Sequence, residues 1–167
     1  MKKVLIFLLW IISTQGFTMT LTLSSTAFSN SAEIPSRFTC HGADVSPPLS
    51  WKDAPSKTKS FVLMVEDPDA PAGTWTHWIL FNIPSTISKL EEATTVPNGA
   101  MVGLNSWGNM RYQGPCPPSG THRYYFKLYA LNITLPLPKN TYAITIIEAL
   151  KTHVLDQAEL IGLYTHR

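Results

Sequence analysis

The frequency of strand patterns along this chain restricts its fold more than any other feature. Residues 60–65 form a continuous apolar run, which is typical of a central strand covered on both faces. In residues 124–131, tyrosines and a lysine alternate with Phe126, Leu128 and Ala130, as in a strand with one buried face. These patterns predict a mainly β protein whose architecture is an antiparallel β-sandwich.

Further segments complete this prediction. Residues 19–23 and 76–83 have strand patterns, and residues 158–164 are a candidate last strand in which Gly162 permits close packing. Residues 144–154 have helical spacing, so we expect one or two short helices at the periphery. The positions predicted to share one helical face are Ile144, Ile147, Leu150 and either Lys151 or Val154.

The beginning of the chain has the parts of a secretory signal peptide. A basic start at Lys2 and Lys3 is followed by an apolar stretch up to Ile12 and by small residues near Gly16. The apolar stretch is shorter than the roughly 20 residues that a membrane-spanning helix needs. We therefore predict a signal peptide over residues 1–16 and a periplasmic or secreted protein without stable membrane insertion. An uncleaved anchor or a buried first strand is the alternative.

Residues 17–167 are enough for a single domain with a substantial core. The whole chain has net charge +2, and the predicted signal peptide contributes two lysines and no acid, so the remaining residues are neutral overall. Binding of nucleic acid requires a basic face. The densest lysines, at positions 52, 57 and 59, lie in a polar turn typical of solvated surface. We expect no nucleic-acid partner.

The two cysteines, Cys40 and Cys116, indicate a disulfide in an exported protein. Such a bond would stabilise the fold by roughly 4.5 kcal/mol in the chain-entropy model. Two separate buried thiols are the alternative. A metal site is disfavoured because neither cysteine has a second cysteine close in sequence.

Three loops combine residue types that are costly to place without a function. Residues 66–73 carry three acids in four positions, on a backbone stiffened by two prolines. Residues 74–78 contain His77, which strand alternation places on the same face as Ile79. Residues 114–124 are rich in proline and glycine and end in an imidazole, a guanidinium and a phenol. Taken singly, the first loop has the composition of an ordinary turn, and a lone histidine is often a hydrogen-bonded core residue.

If these loops meet, they form a compact anion site. Two imidazoles would donate hydrogen bonds to an anionic oxygen, with Asp67 orienting a ring from behind. Tyr124 would add a neutral donor. Sequence spacing alone does not establish that the loops meet.

Several motifs occur together and in order. They are Phe-Thr-Cys-His-Gly-Ala-Asp-Val-Ser-Pro-Pro-Leu-Ser-Trp at 38–51, Asp-Pro-Asp-Ala-Pro at 67–71, His-Trp at 77–78, Gly-Pro-Cys-Pro-Pro at 114–118, His-Arg-Tyr at 122–124 and Ala-Glu-Leu-Ile-Gly-Leu-Tyr at 158–164. In these motifs the chain resembles the phosphatidylethanolamine-binding protein family, more closely its bacterial and archaeal branch of Raf kinase inhibitor-like proteins.

The resemblance implies a β-sandwich with a small pocket that accepts phosphate-like or acetate-like groups. By motif, the residues that line the pocket or shape its walls would be Asp67, His77, His122, Tyr124, Pro71, Trp75, Cys116 and Pro118. A cis peptide in the Asp-Pro region is also implied. The connection before His122 is shorter than usual, so we expect a reshaped rim. The chain stops at Arg167 without the C-terminal helix of eukaryotic members, so we do not expect this protein to share their role in kinase regulation.

We therefore expect an exported protein that binds a small anion, a phospholipid head group or a carboxylate, without a cofactor, a metal or evident catalysis. The alternative is an inhibitor or regulator of an exported protease or hydrolase that acts through the pocket-edge loops. Neither a Gly-x-Ser-x-Gly nor a His-Glu-x-x-His motif is present. Cys116 and His122 would form a nucleophile–base pair only if the thiol were free. A metal site at His41, His77 and His122 is disfavoured. The sequence does not indicate whether the protein is a monomer or a homodimer.

Overall fold

The computed structural model describes residues 20–166, so the predicted signal peptide over residues 1–16 lies outside the described residues. In chain order the strands and the α-helix of this part are β1 Thr22–Ser24, β2 Ala32–Glu33, β3 Leu49–Lys52, β4 Ser60–Asp67, β5 Trp75–Pro84, β6 Lys89–Leu90, β7 Met101–Val102, β8 Thr121–Leu131, α1 Ala143–Leu150 and β9 Val154–Thr165. A 3-10 turn occupies Ser36–Phe38. Within residues 20–166, no helix has the length and apolar character needed to cross a membrane.

The strands form two sheets. One is a three-stranded antiparallel sheet in the order β1-β3-β6, and the other has six strands in the order β2-β9-β8-β4-β5-β7. The prediction of a mainly β protein is therefore confirmed. The prediction of purely antiparallel pairing is wrong at one edge, where β2 runs parallel to β9 and Ala32 pairs with Gly162. A Cβ at Gly162 would overlap the side chain of Ile34, so glycine permits this close approach.

The core lies on both faces of the large sheet. One cluster joins Leu23 and Trp51 of the small sheet to Phe61 and Phe126 of the large sheet. All eight residues of β4 are buried, which confirms the prediction of a central strand covered on both faces.

The opposite face of β4 and β5 is covered by α1. Ile146 is fully buried and belongs to the same cluster as Val62, Met64 and Phe81. The face predicted from sequence is wrong at Ile144, which is 63% exposed. Because Ile146 and Leu150 are one turn apart, they define the buried face, and a residue two positions before Ile146 points away from it.

The helix also ends earlier than the sequence pattern suggests. It stops at Leu150, and a short turn leads to β9, which begins at Val154. Val154 therefore belongs to the last strand and not to the helix. The last strand is longer than predicted and pairs with β8 along almost its whole length, from Thr121 opposite Thr165 to Leu131 opposite Val154.

Candidate functional site

Three adjacent strands of the large sheet, β8, β4 and β5, have ends that lie close together at one end of the sheet. β4 runs antiparallel to both β5 and β8, so its C-terminal end lies beside the N-terminal parts of its two neighbours. Asp67 ends β4 and pairs with Trp75 at the start of β5, while Thr121 begins β8. The structure therefore brings together the loops that precede and follow these positions, as the sequence hypothesis required.

Asp67 and His122 form a buried hydrogen-bonded pair. His122 Nδ1 lies 2.7 Å from Asp67 Oδ2, and both side chains are less than a tenth exposed. An imidazole nitrogen that faces a carboxylate carries the proton, so Nδ1 donates and Nε2 is left for other contacts. The second oxygen, Oδ1, accepts the backbone N–H of Asp69 at 2.8 Å. This local hydrogen bond shapes the Asp-Pro turn.

The expected cis peptide in this turn is wrong, because every peptide bond between residues 20 and 166 is trans. The turn owes its shape to the Asp67 side chain and to the fixed φ of its prolines.

His77 is the extra residue of a β-bulge. In the pairing of β4 with β5, Val65 lies opposite Trp78 and Glu66 lies opposite Thr76, so His77 has no partner in the register. Such a bulge turns a side chain away from the direction that strict alternation would give it.

The imidazole of His77 consequently packs on the aromatic rings of the site. Its centroid lies 5.2 Å from the ring of Tyr124 and 5.0 Å from the ring of Trp107, both nearly perpendicular to it. Tyr124 belongs to the core cluster shared by the two sheets, whereas Ile79 belongs to the cluster under α1. The prediction that His77 shares the face of Ile79 is therefore wrong, and the bulge is the cause.

The protonation of His77 follows from its surroundings. His77 Nδ1 lies 2.7 Å from the carbonyl oxygen of Gln113, which fixes the proton on that nitrogen. Burial lowers the pKa of the imidazole below its ordinary value, while the hydrogen bond to Gln113 acts in the opposite direction. The ring is therefore neutral at pH 7 and its Nε2 is a hydrogen-bond acceptor.

A cleft of about 240 Å³ opens among these loops. This is below the range of about 300–1,000 Å³ of sites for drug-sized ligands, and it suits a small ion or head group. Its lining residues are Asp67, Ala70, Pro71, Ala72, Trp75, His77, Trp107, Cys116 and Pro118. Six of the eight residues predicted from sequence are among them. The other two stand next to the cleft: His122 is hydrogen-bonded to Asp67, and the ring of Tyr124 makes an edge-to-face contact with that of His77.

Trp107 is the main lining residue that the sequence did not indicate. Its ring lies 5.4 Å from that of Trp75 and is 43% exposed. Asn105 Oδ1 accepts the backbone N–H groups of Trp107 and Asn109, which fixes the turn that carries the ring. A large aromatic residue inside a polar Asn- and Gly-containing turn was the available signal.

Two polar groups beside the cleft lack partners among the residues that the structure describes. Tyr124 Oη and Trp75 Nε1 are buried without a hydrogen bond. Burial raises the pKa of Tyr124 well above its ordinary value, and the negative charge of Asp67 acts in the same direction, so the hydroxyl keeps its proton. Asp67 and the backbone of Cys116 are near enough to affect this pKa, but neither has hydrogen-bonding geometry with the hydroxyl.

The described residues that line the cleft include no lysine or arginine. The guanidinium of Arg123, next in sequence to His122, makes two hydrogen bonds to the carboxylate of Asp69, at 2.6 and 2.9 Å. Arg123 lowers the pKa of Asp69 to about 2, mainly through the side-chain hydrogen bond. The cleft therefore offers hydrogen-bonding groups to a ligand. Among its described lining residues, Asp67 carries the formal charge.

One wall of the cleft is cross-linked. Cys40 and Cys116 form a disulfide with an S–S distance of 2.10 Å, which confirms that prediction. The same wall is tied to the 40–44 segment by two hydrogen bonds. The backbone N–H of Cys40 donates to Pro115 O at 3.1 Å, and the backbone N–H of Gly114 donates to the side-chain Oδ1 of Asp44 at 2.6 Å. Residues 20–166 contain no free cysteine, so Cys116 is not available as a thiol nucleophile.

The histidines of the disfavoured metal site do not come together. His41 Nδ1 lies 3.1 Å from the Tyr164 hydroxyl, on the Cys40 side of the disulfide. Within the described part of the chain, no three His, Cys, Asp or Glu residues form a group that could hold a metal ion.

Comparisons with known proteins agree with this architecture. The sequence model of the family described as phosphatidylethanolamine-binding protein matches residues 24–165. A UPF0098 protein from Methanothermobacter thermautotrophicus is 49% identical over 146 residues, covering 85% of this chain and 97% of that protein. A UPF0098 protein from Aquifex aeolicus is 46% identical, covering 84% of this chain and 85% of that protein.

Two crystal structures are also similar. A phosphatidylethanolamine-binding protein homologue from Chlamydia trachomatis has a TM-score of 0.85 at 40% identity, covering 89% of this chain and 99% of that chain. YbcL of Escherichia coli, described as a new member of the mammalian family, has a TM-score of 0.83 at 31% identity, covering 88% and 99%. The match extends over both sheets and over all the loops that form the cleft, and the chain belongs to the phosphatidylethanolamine-binding protein family.

Proposed function

We propose that this protein binds a small anion in the cleft: a phosphate-type group, free or on a phospholipid head group, or a carboxylate. The observation that carries the proposal is the pair of buried donors without partners, Tyr124 Oη and Trp75 Nε1, beside the His122–Asp67 pair. A buried donor without an acceptor costs about 1–3 kcal/mol, and a ligand oxygen would remove that cost. The name that the family shares with the Chlamydia homologue supports a head group as one source of the anion.

The test is an NMR titration of the imidazole signals with inorganic phosphate and with phosphoethanolamine near neutral pH. We expect the signals of His77 and His122 to move with saturation, while His153, hydrogen-bonded to Asn132 away from the cleft, stays unchanged. Trp75→Phe keeps an aromatic ring and removes the indole N–H donor, so the Kd of this variant for phosphate should rise about 2–10-fold. Unchanged signals of both site histidines at millimolar ligand would exclude the proposed function.

The proposal extends to export. It is supported by the basic and apolar pattern of the first sixteen residues and by a disulfide between two exposed cysteines, which is typical of oxidising compartments. N-terminal sequencing of the protein recovered from its native host should give a chain that begins near Phe17. A chain that retains Met1 and fractionates with the cytosol would contradict export.

A second candidate function is inhibition or regulation of an exported protease or hydrolase. It is supported by an exposed aromatic side chain that lines the cleft, that of Trp107, which is 43% exposed. Trp107→Ala should then relieve inhibition of the target enzyme, and Tyr142→Ala, which removes a still more exposed aromatic residue outside the cleft lining, should not. Equal inhibition by both variants would exclude the cleft edge as the contact.

A further inference from the structure

The disulfide between Cys40 and Cys116 is accessible to small molecules. Both cysteine residues are exposed, and Cys116 also lines the cleft. Exposed disulfides are among those that thiols reduce readily, and this group includes regulatory and catalytic bonds. Whether such a bond reacts depends on the groups around its two sulfur atoms, because one sulfur is attacked and the other has to leave.

An imidazole is held beside the sulfur of Cys40. His41 Nδ1 lies 3.8 Å from Cys40 Sγ, and the same nitrogen lies 3.1 Å from the hydroxyl oxygen of Tyr164. The backbone N–H of His41 donates to Thr39 Oγ1 at 3.3 Å. Contacts of the ring and of the backbone therefore both keep His41 in place, while the residue itself is exposed.

The surroundings of Cys116 are different. This residue lies between Pro115 and Pro117, whose rings fix the backbone of the loop. The imidazole on this side, that of His166, has its Nδ1 2.9 Å from the carbonyl oxygen of Pro117, so this nitrogen is engaged by the backbone. The two ends of the disulfide are therefore unequal, with the cleft beside Cys116 and an imidazole in contact with the sulfur of Cys40.

This inequality determines the direction of a reaction with a thiol. In thiol–disulfide exchange a thiolate attacks one sulfur, and the other leaves as a thiolate. A protonated imidazole lowers the pKa of a neighbouring thiol, and a thiol of lower pKa leaves faster. When His41 is protonated, its Nδ1–H can donate a charge-assisted hydrogen bond to the departing Cys40 sulfur. Cys40 is therefore the better leaving group.

We propose that the Cys40–Cys116 disulfide is a site of thiol–disulfide exchange with low-molecular-weight thiols, in which Cys116 is attacked and Cys40 leaves with the help of His41. The thiol approaches from the cleft, which Cys116 lines. His41 acts on a reacting atom and is thus a catalytic residue of this exchange. The inference is independent of anion binding in the cleft.

The exchange has two balanced steps. A thiolate attacks Cys116 Sγ and forms a mixed disulfide, while the bond to Cys40 breaks and its electron pair stays on Cys40 Sγ, which takes the Nδ1 proton of His41. A second thiolate then attacks the small-thiol sulfur of the mixed disulfide and releases Cys116 as a thiolate. The protein disulfide gains two electrons, and two small thiols are oxidised to one disulfide.

Contacts without sulfur keep the two cysteines together after reduction. The backbone N–H of Cys40 donates to Pro115 O at 3.1 Å, and the hydroxyl of Tyr112 donates to Phe38 O at 2.7 Å. Both hydrogen bonds join the segment of Cys40 to the loop of Cys116. Closure of the mixed disulfide is therefore intramolecular, with a high effective concentration of the second thiol. We expect the reduced protein to be reoxidised by glutathione disulfide without unfolding.

The first experiment measures how fast millimolar glutathione reduces the folded, oxidised protein at pH 7, with free thiols as the readout. His41→Ala should be reduced about five- to tenfold more slowly than the wild type, because the departing Cys40 thiolate loses its hydrogen-bond donor. His41→Lys, which restores a cationic donor, should react at least about threefold faster than His41→Ala.

Two controls separate this effect from a change of stability. His153→Ala removes a histidine that is hydrogen-bonded to Asn132 instead of to a sulfur, so it should keep the wild-type rate. The unfolding midpoints of oxidised wild type and His41→Ala should agree, because His41 is exposed. Slower reduction at an equal midpoint then reports the exchange reaction itself.

The second experiment needs no variant. The wild-type protein is mixed with glutathione and quenched with an alkylating agent, and the species that carries one glutathione and one alkyl group is mapped by mass spectrometry. We expect the glutathione on Cys116 and the alkyl group on Cys40. Glutathione attached to Cys40, or reduction of His41→Ala at the wild-type rate, would overturn the proposed roles. Absence of free thiols after prolonged incubation of the folded wild type would overturn the exchange as a whole.

Discussion

At the scale of single residues, the site depends on where protons are held. Burial keeps His77 neutral, the carboxylate of Asp67 fixes Nδ1–H on His122, and the burial of Tyr124 keeps its hydroxyl protonated. The cleft therefore contains buried polar groups with fixed donor and acceptor roles, which is the property that lets a small site distinguish ligands by hydrogen bonding.

The neutral state of His77 predicts a loss of stability in acid. Its pKa in the folded state lies below the ordinary value of about 6.5, so the unfolded chain takes up a proton first as the pH falls. The contribution of this group is complete above about pH 6.5 and declines below it, by at most about 1.4 kcal/mol per pH unit. Urea unfolding between pH 7.5 and pH 5 should show the decline.

His77→Gln should reduce that pH dependence even if it lowers stability overall, because glutamine does not titrate. His153→Gln is the control and should leave the slope unchanged, since that side chain is not among the described buried residues. An equal slope in wild type and in the His77 variant would contradict the assignment.

At the scale of elements, the position of α1 depends mainly on two buried side chains that are one helical turn apart. Ile146 and Leu150 are buried against β4 and β5, while Ile144 is exposed two positions before Ile146. The helix has no hydrogen bond from a side chain at its N-terminal cap. Its attachment therefore depends on packing, as is usual for a helix of eight residues.

This arrangement predicts a strong difference between two chemically identical substitutions. Ile146→Ala should lower the free energy of unfolding by about 2–5 kcal/mol, because it opens a cavity in the cluster beneath the helix. Ile144→Ala should change it by less than about 0.5 kcal/mol, because that side chain is 63% exposed. Urea denaturation of both variants measures the difference. Equal decreases in the free energy of unfolding would contradict the orientation of the helix described above.

At the scale of the whole molecule, the cleft wall is held by a link between distant parts of the sequence. Cys40 and Cys116 are 76 residues apart, and their bond joins the segment after the 3-10 turn to the loop before β8. Closing so long a loop removes much of the conformational freedom of the unfolded chain.

Replacing both cysteines by alanine should therefore lower stability by roughly 2–5 kcal/mol. The hydrogen bonds from Cys40 N–H to the Pro115 carbonyl and from Gly114 N–H to the Asp44 carboxylate do not depend on the sulfur atoms, so the wall should keep its place. We expect the Kd for phosphate to change less than about threefold while the unfolding midpoint falls. A lost site in a protein that remains folded would show that the disulfide itself positions the wall.

The local patterns of the sequence were sufficient for much of this structure. The apolar run at 60–65 and the alternation at 124–131 determined two central strands, since burial on one or both faces leaves a direct trace in residue order. The motifs that resemble the family named six of the residues that line the cleft. The presence of two cysteines also favoured, over two separate thiols, the disulfide that the structure shows.

Only the tertiary structure decided the remaining features, because each depends on groups distant in sequence. The direction of His77 follows from a bulge against β4, which alternation within β5 cannot reveal. Trp107 reaches the cleft through a turn fixed by Asn105, and the buried face of α1 follows from the sheet beneath it. The parallel edge of β2 depends on the space beside Gly162. The motifs of the sequence indicated most of the residues that meet at the cleft, whereas the orientation of their side chains, and hence which atoms meet a ligand, depended on packing.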